Sequence, residues 1–169
     1  MRVYIPVTLA MLSKLVADGT LHAVSGTAFA VTPTLREAYA EGDEEELAEV
    51  AMRDAALASL RLLAGGHDTA DGGADLPPRR AVLVADSAAT VRPDLDDAVV
   101  RLAGPVASTE VVAVYVDNAE AEPAVRRAVE AVDLADLGDE DAELTVGDAQ
   151  DHDLAWYAPQ ELPFLLELL

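Results

Sequence analysis

Two aspartates close apolar runs in the second half of this chain. Asp86 follows the run 81–85, and Asp117 follows the run 111–116. If the two runs are parallel neighbouring strands, both carboxylates reach one sheet edge, where open α/β sheets bind their ligands. Two carboxylates there could hold Mg²⁺ through oxygen and water, and the metal could polarise a phosphate. The structural alternative is that Asp117 caps a helix and Asp86 caps a turn. A second constellation is Asp151-His152-Asp153, with Glu161 nearby. A histidine between carboxylates is suited to act as a base or a ligand, or it is a solvated loop imidazole. His22 and His67 stand at no ligand spacing to it, and the chain has no cysteine. A tetrahedral zinc site would need carboxylates and distant histidines.

Residues 65–75 loosely resemble glycine- and aspartate-rich calcium repeats. They lack the EF-hand order of ligands and the apolar residue of a β-helix turn, and read as a linker. No phosphate-cradling glycine loop, dinucleotide fingerprint, nucleophile elbow or H-E-x-x-H pair is present. Ser13, Ser25, Ser59, Ser87 and Ser108 carry no sequence cue of activation. Phe29, Tyr39, Tyr115, Trp156, Tyr157 and Phe164 fall on apolar elements and read as core rather than as a stacking platform. The candidate binding residues are therefore Asp86, Asp117 and His152. No residue is assigned a catalytic or metal role, and no cofactor is expected.

Composition narrows the function classes. The 169 residues carry 32 acids against 11 bases, a net charge of −21. A nucleic-acid binder neutralises phosphates with a basic patch. Here only Arg79-Arg80 and Arg126-Arg127 place bases side by side. An anionic membrane surface would repel the chain for the same reason, and no apolar run is long enough to span a bilayer. The imbalance is regional. Residues 81–169 hold 20 acids and 4 bases, with no Lys or Arg after Arg127. Alanine makes up about a fifth of the chain, while Lys14, Ile5 and Asn118 are each the sole residue of their type. That avoidance of AT-rich codons points to a GC-rich genome. The opening residues 1–6 have no signal-type apolar region and read as the first strand of a cytoplasmic protein.

These residues need elements to hold them. Residues 3–7 read as a strand. Thr8 follows as an N-cap, and Leu9, Leu12, Leu15 and Val16 recur at helical spacing up to Gly19, a C′ glycine. Residues 22–31 read as a strand with a possible bulge at Gly26. Thr34 to Glu37 has a capping-box pattern. Helix is interrupted near Gly42 and resumes at the acids 43–46, favoured at a helix N-terminus, to run to about Ala64. Residues 65–78 break the chain as a flexible linker within one domain. Strands follow at 81–85, 99–102 and 111–116, then a helix through Val125, Ala128, Val129 and Val132 capped by Asp117-Asn118. The acidic segment 133–153 reads as loops around a short helix, 154–157 as a strand and 161–168 as a helix. The pattern Y-x-P-x-x-L-x-x-L occurs at both Tyr4 and Tyr157, each at a strand-to-helix corner. The expectation is an α+β fold, with α/β as the alternative. It would be built on a single mixed sheet of five to six strands with its helices mostly on one face.

Several stretches carry a family resemblance. They are residues 2–6, Gly26-Thr27-Ala28-Phe29-Ala30-Val31-Thr32-Pro33, Arg101-Leu102-Ala103-Gly104-Pro105-Val106 and 151–157. Together they resemble an uncharacterised actinobacterial family of small acidic proteins, catalogued only as a domain of unknown function. The likeness covers nearly the whole chain. It implies a bacterial, cytoplasmic, single-domain protein and transfers no activity.

The functional expectation is a non-catalytic interaction or regulatory module. Its acidic surface would meet a basic protein partner or, through self-association, a second copy of the chain. The alternative is a divalent-metal enzyme acting on a phosphorylated small molecule through Asp86 and Asp117.

Overall fold

A computed structural model describes residues 1–67 and 76–169. The chain runs β1 (Arg2–Val7), α1 (Leu9–Asp18), β2 (Thr20–Leu21), β3 (Thr27–Phe29), α2 (Pro33–Ala38) and α3 (Glu44–Ala64). It continues through β4 (Ala81–Asp86), β5 (Ala89–Val91), β6 (Val99–Leu102), β7 (Val106–Ala107) and β8 (Val111–Val116). It closes with α4 (Glu122–Asp136), α5 (Glu140–Gln150), β9 (Ala155–Tyr157) and α6 (Leu162–Glu167). The fold is α+β. Seven strands form one sheet in the order β5-β6-β3-β1-β4-β8-β9, and β2 with β7 forms a separate ribbon.

The sheet departs from the expected mixed sheet of five to six strands. Every pairing is antiparallel. β5 supplies an extra strand that the sequence conceals. Its three residues are too few to establish a period, and two of them are exposed. The strand expected over 22–31 is confined to β3, because a tight turn precedes it. Ser25 and Gly26 both adopt positive φ there, 58° and 67°. That turn sends Leu21 to the ribbon and Ala28 to the main sheet.

Helices cover both faces, with α2 to α5 on one and α1 and α6 on the other. Alternation along β1 explains why. Val3, Ile5 and Val7 are fully buried on one face, in a cluster with Leu9, Leu12 and Leu15 of α1 and Leu162 and Leu165 of α6. Fully burying each such side chain is worth roughly 1.5–3 kcal/mol. Tyr4, Val82 and Tyr115 point the other way, against Ala55 and Ala56 of α3. Leu60 and Leu63, further along α3, pack with Val125, Ala128 and Val132 of α4 and Val146 of α5. The repeated Y-x-P-x-x-L-x-x-L corners thus lead from a central strand into α1 and from an edge strand into α6. The two helices share one core.

Local signals set most helix ends. The Thr8 hydroxyl accepts from the Met11 amide, and Gly19 closes α1 at φ 78°. The Asp43 carboxylate accepts from the Glu46 amide at the start of α3. The second helix is capped by Thr32, with Pro33 in its first turn, rather than by Thr34. A proline in the first turn sacrifices no helical hydrogen bond. The segment 133–153 is mostly helical, since α5 spans eleven of its residues under an Asp139 cap. The expected linker 65–78 lies largely on residues 68–75, outside the described residues.

Candidate functional site

Antiparallel pairing decides the fate of the strand-end aspartates. β4 and β8 run in opposite directions, with Ala81 opposite Val116. Asp86 and Asp117 therefore lie at opposite ends of the sheet, roughly 20 Å apart at about 3.3 Å per strand residue. They do not converge, and a two-carboxylate metal site built on them is not formed. Each is held by an arginine. Asp86 accepts from Arg2 Nε at 2.9 Å and Nη2 at 3.3 Å. That hydrogen bond holds its carboxyl below the usual carboxylate range. Asp117 is fully buried and accepts three bonds from Arg80, from the backbone N, Nε and Nη2, each at 2.8 Å.

Arg80 is the centre of the more built-up end. It is only 3% exposed, and its Nη2 also donates to the backbone carbonyl of His152 at 2.8 Å. The guanidinium thus joins β4, the end of β8 and the turn between α5 and β9. Of the three residues singled out from sequence, Asp117 and His152 meet through Arg80, and Asp86 stays apart. Arg79 is spent similarly, with Nη2 on Glu122 Oε2 at 2.9 Å. One of the two basic doublets in the sequence is thereby consumed by internal ion pairs.

Ser59 ties α3 to the same end of the sheet. Its buried hydroxyl donates to the Val7 carbonyl at 2.7 Å and accepts from the Ala81 amide at 3.0 Å. Sequence reasoning missed both groups. A signal existed for each. Ser59 is a polar residue within the apolar stripe Ala55, Ala56, Leu60 and Leu63. Arg80 is a base abutting a wholly apolar run.

Beside Arg80 opens a cleft of about 580 Å³. Helix α3 contributes Glu49, Met52 and Arg53 to its wall, the sheet contributes Tyr115, and the α5–β9 turn contributes His152, Asp153 and Leu154. Trp156 pairs with Tyr115 across β8 and β9. Directly paired residues share a sheet face, so Trp156 flanks the cleft, and it is 58% exposed. Asp54, next to Arg53, has its carboxyl raised above the usual range by burial, with Asp96 adding repulsion.

A second feature lies on α4 and α5, which form an antiparallel hairpin. Asp133, Asp136, Asp139, Glu140, Asp141 and Glu143 are all exposed around its connection. Among the described residues only Asp136 of these forms an ion pair, with Arg61 at 2.8 Å, and that contact lowers its carboxyl pKa. Three leucines stand among these acids. Leu134 is 54% exposed, Leu144 70% and Leu137 84%. Among the described residues no group of three or more His, Asp or Glu side chains is arranged to hold a metal ion, and no helix is long and apolar enough to cross a membrane.

Residues 1–166 match the family of unknown function DUF6912. The chain belongs to that family. No curated protein and no solved structure matches it. The DUF6912 match runs from β1 into α6, so both arginine–aspartate pairs, the cleft and the acidic hairpin all lie within the family region.

Proposed function

We propose that this protein is a non-catalytic binding module of the bacterial cytoplasm, whose α4–α5 hairpin docks a basic protein partner. The observation that carries the reading is the set of exposed leucines, 134, 137 and 144, standing among exposed acids. Leucines left in water are available to bury area on a partner. The surrounding carboxylates steer a basic surface toward them and speed its encounter. A second copy of the chain would bring like charge against like charge, so a basic partner is favoured over self-association at this surface. The GC-rich codon signature and the actinobacterial resemblance support the bacterial setting.

The test uses two synthetic helical peptides of equal positive charge, one of leucine and lysine, the other with serine in place of leucine. The leucine peptide should bind, with an association rate that falls steeply with salt. The Leu137→Ser/Leu144→Ser variant should keep its melting temperature and lose that binding. Equal binding of both peptides, or a variant that binds as well as the parent, would reduce the hairpin to a solvating acidic surface.

A further inference from the structure

The cleft beside Arg80 supports a separate inference, resting on different residues. Its wall carries both signs of charge in addition to an apolar surface. Arg53 is exposed and, among the described residues, forms no ion pair or hydrogen bond. Glu49 lies one helical turn before it, the favourable order for an intrahelical pair, yet the two are not paired. Arg80 adds a second donor. Its Nε and Nη2 are committed to Asp117 and His152, which leaves Nη1 without a protein partner. No buried side-chain nitrogen or oxygen among the described residues lacks a partner. Nη1 is thus not fully sealed, and Arg80 lines the cleft. A nearly buried arginine fixed by two neighbours, with one free nitrogen, is a preorganised donor to an anionic group.

Glu49 and Asp153 supply the opposite charge on the same wall. Met52, Leu154 and Tyr115 supply apolar contact, and Trp156 stands at the rim. The volume falls within the range of small-molecule sites, roughly 300–1,000 Å³. The charge of the ligand follows from what each alternative would meet. A net anion is opposed by the −21 charge of the whole chain. A net cation would satisfy Glu49 and Asp153 but leave Arg53 without a counter-charge. A net-neutral zwitterion matches both ends of the wall and works against neither. We infer that the cleft binds a small zwitterion with a flat or branched apolar body, a free α-amino acid of the phenylalanine or leucine kind. Its carboxylate would sit toward Arg53 and Arg80 Nη1, and its ammonium toward Glu49 and Asp153.

The experiment titrates the full chain with L-phenylalanine, phenylacetate and phenethylamine over roughly 1 µM to 10 mM, by calorimetry and by the emission of Trp156, the only tryptophan. L-Phenylalanine should saturate. Phenylacetate and phenethylamine, each lacking one charge, should bind at least tenfold more weakly, about one factor of ten per lost charged contact. Arg53→Ala, at an exposed position, should keep the melting temperature and weaken the amino acid about tenfold. Silence in both readouts, equal or tighter binding of either singly charged analogue, or an Arg53→Ala variant that binds like the parent would overturn the inference. The hairpin peptides are unaffected by any of these outcomes, so the two readings fail separately.

Discussion

The two ends of β4 hold the same chemistry in opposite surroundings. At one end Arg2 grips Asp86 with both side chains more than half exposed, at 53% and 57%. At the other Arg80 grips Asp117 at 4% and 0%. The pairs are alike in partner type and bidentate geometry. In water the first gains little, because solvent screens the attraction and ordering two long side chains costs entropy. The second cannot be undone from one side without stranding a charge in the interior. The buried pair also ties three elements together beside the cleft, whereas the exposed pair joins two adjacent strands already held by the ladder. Burial, not the presence of a charge pair, separates a joint from a decoration.

Removing one member of the buried pair should have the largest effect. Asp117→Ala leaves Arg80 buried without its acceptor, at a cost of about 3–5 kcal/mol. For a chain this long that is a fall in melting temperature on the order of 10 °C. Replacing both partners together, as Arg80→Met with Asp117→Leu, should recover much of that loss. A single variant that melts with the parent would show that solvent reaches the pair and would erase the contrast.

Ser59→Ala comes next. It leaves the Val7 carbonyl and the Ala81 amide, both at the Arg80 end, without their shared partner, at about 1–3 kcal/mol. Faster hydrogen exchange at the Ala81 amide should accompany the loss.

Asp54 sharpens the comparison from the other side, because burial there outweighs the pull of Arg53 and Arg61. Its carboxyl pKa is raised by burial. In the window between the usual 3.8 and that raised value, the folded state holds a proton that the unfolded state has released. The group's relative stabilisation is present below the unfolded pKa and lost as pH rises through the folded one. Asp54→Asn should therefore stabilise the protein at pH 7, and the gain should vanish in acid. Chemical denaturation at both pH values reads it.

The smallest effect belongs to Arg2→Ala. At physiological salt its melting temperature should match the parent. The Asp86 carboxyl, held low by the Arg2 hydrogen bond, should return toward its ordinary value in an NMR titration. Because that pKa is depressed in the folded state, whatever the pair contributes is present above the unfolded pKa and lost as pH falls through the folded one.

The sequence conveys local structure well because the signals are local. Thr8, Gly19 and Asp43 carry caps in their own side chains or backbone freedom, and α3 ends within a residue of where its apolar stripe fades. Pairing direction is a different kind of information. Nothing in the residues around Asp86 or Asp117 states whether β4 and β8 run together or opposed. That depends on where the chain travels between them, and the candidate metal site depended on it. The turn at Ser25-Gly26 was hidden because a non-glycine residue occupies a positive φ. The cleft was only half visible. Asp117 stood out as a residue type, but His152 joins it through a backbone carbonyl, and Arg80 between them is marked only by abutting an apolar run.

The placement of β1 has a consequence for how the chain is made. This strand lies at the centre of the sheet, between β3 and β4, and its longest pairing, over six residues, is with β4. Ribosomes add about 5–20 residues per second, and about 80 residues separate the end of β1 from the end of β4. Val3, Ile5 and Val7 therefore emerge roughly 4–16 s before the strand that completes their ladder has been synthesised. Until then this central strand keeps one apolar edge open, since only β3 has arrived to pair with it. Its safety during synthesis rests on α1, whose Leu9, Leu12 and Leu15 are the first partners to arrive.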